Sequence, residues 1–133
     1  MTSIGLIATK EEREEIINKT KLVIRDYRNF YNSIKEYLPH NVQKISEYDL
    51  HDAGITGFKV GNDNTFAITL DRGIKFTFIN VQTLTIPNEL LGRWWGYDEI
   101  YLTDKGFEMH VLLDNLSELF VEAENVLIDE KRV

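Results

Sequence analysis

The spacing of apolar residues changes near Leu50, and this change limits the folds open to the chain. Before it, apolar residues recur at helical spacing from Ile16 to Leu38. After it, apolar and polar residues alternate with the period of two that a half-buried strand requires. We see no helical pattern between these strand-like runs. A helical first third followed by successive strands predicts an α+β fold with an antiparallel sheet.

The helical segment has a clear start and stop in the sequence. Thr9 and Glu12 have the spacing of a capping box, and Pro39 disfavours helix in the residue before it. The pattern predicts a helical segment over about 10–38, as one long helix or as two with a break. At about 1.5 Å per residue a single helix would be roughly 42 Å long, more than a small sheet needs. This excess length leads to the hypothesis of a homodimer formed through the helix.

The alternating part, about 52–129, predicts five or six strands in an antiparallel meander. Glycine-containing turn signals separate the runs at residues 61–64, 71–73 and 104–106. We expect residues 80–86 to continue as a strand that changes face, and residues 119–128 to form one last strand. The chain is therefore predicted to be a single domain over 1–133, in which the long N-terminal helix packs on one meander sheet.

Charge is distributed unevenly along the chain. The formal net charge is -7, and residues 41–133 hold sixteen acidic against eight basic side chains. Such a surface repels phosphate, and no cluster of lysine and arginine interleaves with aromatics, so the sequence argues against nucleic-acid binding. It favours a basic partner or a cation instead.

The composition also narrows the chemistry and the compartment. The chain has no cysteine, which excludes disulfides and thiolate nucleophiles and agrees with a cytoplasmic protein. The first residues contain only a short apolar run, from Ile4 to Ala8, so we predict neither a signal peptide nor membrane association. No nucleotide, dinucleotide or hydrolase motif is present, and we predict no cofactor and no metal.

The most distinctive stretch, RWWGYDEIYLTDKGFEMHVLLD over residues 93–114, predicts a hairpin with a candidate binding face. Glu108 and His110 are two residues apart and should share a face, with Glu122 and Glu124 on the following strand beside them. Two adjacent tryptophans in a strand should point to opposite sides, so we expect one of them to be a candidate interface anchor. The candidate partner-binding residues are Trp94, Trp95, Tyr97, Asp98, Glu99, Glu108, His110, Glu122 and Glu124.

Each candidate has a plainer interpretation. Charges that alternate along a strand are what any half-exposed sheet shows, and His51 beside Asp52 can simply shape the start of the first strand. An alternative function is a metal-assisted hydrolase that uses His51, His110 and the nearby carboxylates. That alternative requires the two imidazoles to converge on one pocket, and we assign no catalytic residue.

Four pieces of the sequence resemble small uncharacterised bacterial families of unknown function. They are LHDA at 50–53, WWGYDEIY at 94–101, GFEMHVLLD at 106–114 and AENV at 123–126, and the resemblance covers about 50–128. The resemblance implies no established catalytic residues. Small acidic α+β proteins of this kind are also similar in class to immunity proteins, which neutralise a basic toxin by covering it. The sequence thus predicts a non-catalytic bacterial binding protein whose acidic sheet face meets a basic partner.

Overall fold

A computed structural model describes residues 26–131 of the chain, which divides into two units, one ending at Ser33 and the other starting at Ile34. Helix α1 is described over residues 26–34, and a 3-10 turn, Lys35–Tyr37, follows it. The helical segment thus ends before Pro39, as predicted. Its part over residues 10–25 lies outside the described residues. The single domain and the homodimer stay predictions.

The second unit contains eight strands in two antiparallel sheets of four. The first sheet has the order β1-β2-β3-β8 and the second the order β4-β7-β6-β5. The strands are β1 (Ile55–Val60), β2 (Phe66–Leu70), β3 (Ile74–Ile79), β4 (Thr83–Thr85), β5 (Trp95–Thr103), β6 (Gly106–Leu113), β7 (Glu118–Ala123) and β8 (Asn125–Glu130).

The α+β class is confirmed, but the prediction of one meander sheet with five or six strands is wrong. The chain crosses between the two sheets after β3 and again after β7, where the predicted single last strand divides into β7 and β8. At the first crossing Asn80 has a left-handed backbone with φ of 53°. At the second, the Glu124 amide donates to the Ile79 carbonyl at 3.1 Å. The two crossings therefore lie side by side.

The core lies between the two sheets. Alternate residues of the central strands are fully buried, including Phe76 and Phe78 on β3 and Phe107 on β6. Rings from the two sheets meet there, with centroids 6.2 Å apart for Phe76 and Trp95 and 6.0 Å apart for Phe78 and Phe107. Aromatic pairs at this separation add to the stability that burial of apolar area provides.

In this unit the helix that packs on a sheet is short. The prediction of a long N-terminal helix packed on the sheet is therefore wrong for this position. Helix α2 (His40–Ile45) begins directly after Pro39, whose ring suits the start of a helix, and it packs beside β8 with Val42 and Ile45 buried. The Asn41 amide Nδ2 donates to the Val126 carbonyl at 3.0 Å. This contact covers part of an edge strand that would otherwise be open to another chain.

Candidate functional site

The outward-facing side of the second sheet brings most of the predicted binding residues together. In the register of its strands, Glu108 lies between Tyr101 and Glu122, while His110 lies between Glu99 and Phe120. In the next outward row, Leu112 lies between Tyr97 and Glu118. We define the acidic face by these residues: Tyr97, Glu99, Tyr101, Glu108, His110, Leu112, Glu118, Phe120 and Glu122.

Charge is strongly segregated between the two sheets. The four strands of the second sheet, all within the described residues, contain five carboxylates and no lysine or arginine. The strands of the first sheet contain two lysines and two carboxylates. The excess negative charge of the strands is therefore concentrated on the second sheet, where four of its five carboxylates belong to the acidic face.

His110 is held in place by two rings and a carboxylate. Its imidazole meets Phe120 edge-on at a centroid separation of 4.7 Å and Tyr101 in the same way at 5.4 Å. Its Nε2 lies 3.3 Å from Oε1 of Glu108, and its side chain remains 38% exposed. The centre of the acidic face is thus a packed, partly exposed group of three rings bordered by carboxylates, and not a cleft.

Two glutamates of the acidic face accept hydrogen bonds from neutral hydroxyls. The Tyr101 hydroxyl donates to Glu99, and this bond, with burial and the charge of Glu99 adding to it, raises the pKa of Tyr101 to about 12. The Thr83 hydroxyl donates to Oε1 of Glu122 at 3.0 Å. Neutral donors orient these carboxylates and leave their negative charge in place.

The two tryptophans have opposite environments. Trp95 is 1% exposed, and its indole Nε1 donates to Oδ2 of Asp98 at 2.8 Å. Asp98 pairs with the buried Val111, so it lies on the inward side of β5. Burial raises the pKa of Asp98, against the lowering effect of the bond from Trp95, and the charge of Glu99 raises it further. Trp95 and Asp98 therefore do not belong to the acidic face.

Trp94 is 55% exposed and lies where the second sheet meets the start of β1. Its amide donates to Oδ1 of Asp114 at 3.0 Å, and its carbonyl accepts from the Asp114 amide at 3.0 Å. It also forms an isolated antiparallel bridge with Gly54. Backbone contacts to both sheets thus fix this exposed indole next to the turn between β6 and β7.

Glu124 lies outside the acidic face. It follows the last residue of β7, at the crossing between the sheets, and its Oε2 accepts a hydrogen bond from Nδ2 of Asn80 at 2.8 Å. Its side chain therefore supports the crossing, two residues beyond Glu122.

His51 and Asp52 lie at the start of β1, away from His110. The imidazole Nδ1 of His51 contacts the Gly96 carbonyl at 2.9 Å, and its Nε2 is 3.5 Å from Oδ1 of Asp52. Gly96 precedes Glu99, the partner of His110, by three residues, or about 10 Å of strand. Within residues 26–131, no three histidine, aspartate or glutamate side chains are grouped in a way that could hold a metal ion.

An open depression of about 580 Å³ borders the acidic face where the hairpin between β5 and β6 turns. It is lined by Gln82, Thr103, Asp104, Lys105 and Glu122. Across the described part of the chain, no helix is long and apolar enough to span a membrane.

Four residues of the acidic face were not among the predicted binding residues, although the sequence contained the signal for them. Tyr101 follows Glu99 by two positions, Leu112 follows His110 by two, and Phe120 and Glu118 precede Glu122 by two and four. Residues two apart on a regular strand share a face. The structure leaves all four at least partly exposed.

A family model for a protein of unknown function, DUF4085, matches residues 8–120. No curated protein and no solved structure matches the chain. The resemblance to a family of unknown function is thereby confirmed, and the similarity in class to immunity proteins stays a prediction.

Proposed function

The chain belongs to the DUF4085 family of proteins of unknown function, and we propose that it is a non-catalytic protein-binding domain whose acidic face binds a basic protein. The observation that carries this proposal is the segregation of charge. The second sheet has five carboxylates and no lysine or arginine in its strands, whereas the strands of the first sheet are balanced. A basic partner would meet an attractive field at the second sheet.

The arrangement of Glu108 and Glu122 also supports a basic partner. They lie directly opposite each other on β6 and β7, and like charges in such a pair destabilise a sheet. A lysine or arginine of a partner would neutralise that repulsion. Tyr101 and Phe120 are partly exposed beside the two carboxylates and offer ring surface on which the aliphatic stem or the guanidinium group of the partner can pack.

Electrostatic attraction of this kind acts mainly on the rate of association. A surface of one sign steers an oppositely charged partner and raises the association rate constant, and salt screens the effect. The finer proposal is that the partner is a basic toxin, and that the protein works as an immunity protein in a bacterial cytoplasm. The net charge of -7 and the carboxylates of the second sheet support it, since both favour contact with a basic effector.

The test is an affinity pull-down from cells that carry the gene, eluted with a salt gradient. The bait is the wild-type protein or a triple variant of the acidic face, Glu99→Lys, Glu108→Lys and Glu122→Lys. We expect the wild type to retain one basic protein that elutes as salt rises and that the triple variant does not retain. Co-expression with that protein then tests for protection from toxicity.

A matched control separates the acidic face from net charge. Glu36, Glu47 and Glu89 are exposed and lie outside the strands of both sheets, so Glu36→Lys, Glu47→Lys and Glu89→Lys together change the net charge by the same amount. The control variant should retain the basic protein. Equal loss from both variants, or equal retention by both, would remove the acidic face as the binding surface.

A further inference from the structure

The turn between β6 and β7 contains an exposed leucine in an unfavourable backbone conformation. Leu116 is 79% exposed, and its backbone is in the left-handed region with φ of 67°. That region is disfavoured for leucine, and glycine or asparagine adopts it more readily. The turn is closed by a bond from the Leu116 amide to the Leu113 carbonyl and by the side chain of Asn115, which accepts from the Ser117 amide at 3.1 Å. Neither backbone geometry nor burial accounts for leucine here.

Two other exposed apolar residues adjoin the turn that contains Leu116. The backbone of Trp94 is hydrogen-bonded to Asp114, which lies in the same turn. Adjacent residues of a strand point to opposite faces, so Trp94 points outward where Trp95 is buried. Leu112, 36% exposed, belongs to the acidic face and precedes the turn by one residue of β6. We define the apolar corner as Trp94, Leu112 and Leu116. It continues the acidic face along β6 toward the turn.

We infer that the apolar corner is the hydrophobic anchor of the partner that the acidic face attracts. This inference rests on the proposed function and deepens it by giving the partner two parts. Glu108 and Leu112 are four residues apart on β6, or about 13 Å. The partner therefore presents basic side chains and, about 13 Å away, aliphatic or aromatic ones, as an extended segment with alternating residues does.

Two other occupants fit the surface less well. A second copy of this chain would bring an equally acidic face against the first, and the net charge of -7 on each copy opposes that contact. A membrane surface with anionic lipids would be repelled by the carboxylates that adjoin the corner. A basic protein segment complements both the charge and the apolar area.

The test is a titration followed by the indole N–H resonance of Trp94 and the amide resonances of Glu108 and Glu122. The probes are two capped peptides, Arg-Thr-Arg-Thr-Leu-Thr-Leu and Arg-Thr-Arg-Thr-Thr-Thr-Thr, with Thr-Thr-Thr-Thr-Leu-Thr-Leu as the uncharged reference. We expect the leucine-containing basic peptide to bind the wild type at least fivefold more tightly than its threonine counterpart. Leu116→Asn should remove most of this difference.

Leu116→Asn should leave the melting temperature unchanged or raise it, because asparagine tolerates the left-handed region. Reduced affinity would then not reflect unfolding. Leu127→Asn, at an exposed position of β8 on the first sheet, is the matched control and should keep the fivefold difference. Equal affinity of the two basic peptides, or a difference that survives Leu116→Asn, would overturn the apolar anchor alone. Basic peptides that bind no better than the uncharged reference would overturn the proposed function together with it.

Discussion

Glu108 and Glu122 lie directly opposite each other in the register of β6 and β7, with no lysine or arginine in the strands on either side. Side chains in directly opposed positions of an antiparallel pair are close enough to interact, and like charges there are unfavourable. The pair is unfavourable for folding, and under the proposed function a positive group of the partner would offset its repulsion.

The first prediction concerns this pair. Glu122→Gln should raise the free energy of unfolding by about 0.2–1 kcal/mol at low salt, because it removes the repulsion while its amide oxygen still accepts from Thr83. The gain should shrink as salt screens the charges. Urea unfolding at two salt concentrations measures it. Glu118→Gln, opposite the uncharged Leu112, is the control and should change stability less. A destabilised Glu122→Gln variant would contradict this account of the pair.

The second prediction concerns Asp98, whose pKa is raised by burial. A raised carboxyl pKa means that the folded state holds its proton more tightly, so this group lowers stability as pH rises from its ordinary value of 3.8 through the raised value. Asp98→Asn removes that dependence while an oxygen still faces the indole of Trp95. The difference in free energy of unfolding between Asp98→Asn and the wild type should therefore favour the variant most near pH 7. This difference should shrink as pH falls toward 3.8. Urea unfolding across this range tests it, and an advantage that grows on acidification would refute it.

The third prediction concerns Tyr101. The bond to Glu99 keeps the phenol protonated and raises its pKa to about 12, so the contribution of this group to stability is lost as pH rises from 10 toward 12. Glu99→Gln should lower the pKa of Tyr101 toward 10.0. Ultraviolet absorbance of ionised tyrosine follows the titration, and Tyr101→Phe identifies the step that belongs to this residue. An unchanged high-pH step in Glu99→Gln would show that the carboxylate is not its cause.

The fourth prediction separates the two tryptophans. Trp95 is buried and Trp94 is half-exposed, so Trp95→Ala should lower the free energy of unfolding by about 3–5 kcal/mol and Trp94→Ala by at most about 0.5 kcal/mol. Urea unfolding measures both. In the Trp95→Ala protein, if it folds, acrylamide should quench the remaining indole efficiently, and in Trp94→Ala it should quench weakly. Similar quenching of the two would mean that their environments do not differ in this way.

The local pattern of the sequence was sufficient to predict which face of a regular strand many residues occupy. Glu108 and His110 share the outward side of β6 because alternation needs no knowledge of the partner strand. The same rule failed at Gly96, where an irregularity between Trp95 and Tyr97 shifts the register. A Cβ atom at Gly96 would lie 2.8 Å from the Leu112 carbonyl oxygen, so only glycine allows this close approach. The shift turns Trp95 and Asp98 inward.

The division into two sheets could not be predicted from alternation, because a strand has the same period in either sheet. The crossings depend on contacts between distant parts of the chain, such as the bond from Asn80 to Glu124. Neither crossing contains glycine, the residue that most often marks a turn in a sequence. Pro39, by contrast, was a sufficient signal for the end of the first helical segment, although the short helix after it was not foreseen.

The central claim is that a basic protein is attracted by the acidic face and not by net charge alone. Its most direct test is the association rate constant of the protein recovered by pull-down, measured at several salt concentrations against three forms of this chain. The forms are the wild type, Glu99→Lys/Glu108→Lys/Glu122→Lys, and Glu36→Lys/Glu47→Lys/Glu89→Lys. We predict that the acidic-face variant lowers the low-salt rate constant by about tenfold or more and flattens its salt dependence, while the control lowers it by less than about threefold. Equal losses in the two variants would contradict the claim.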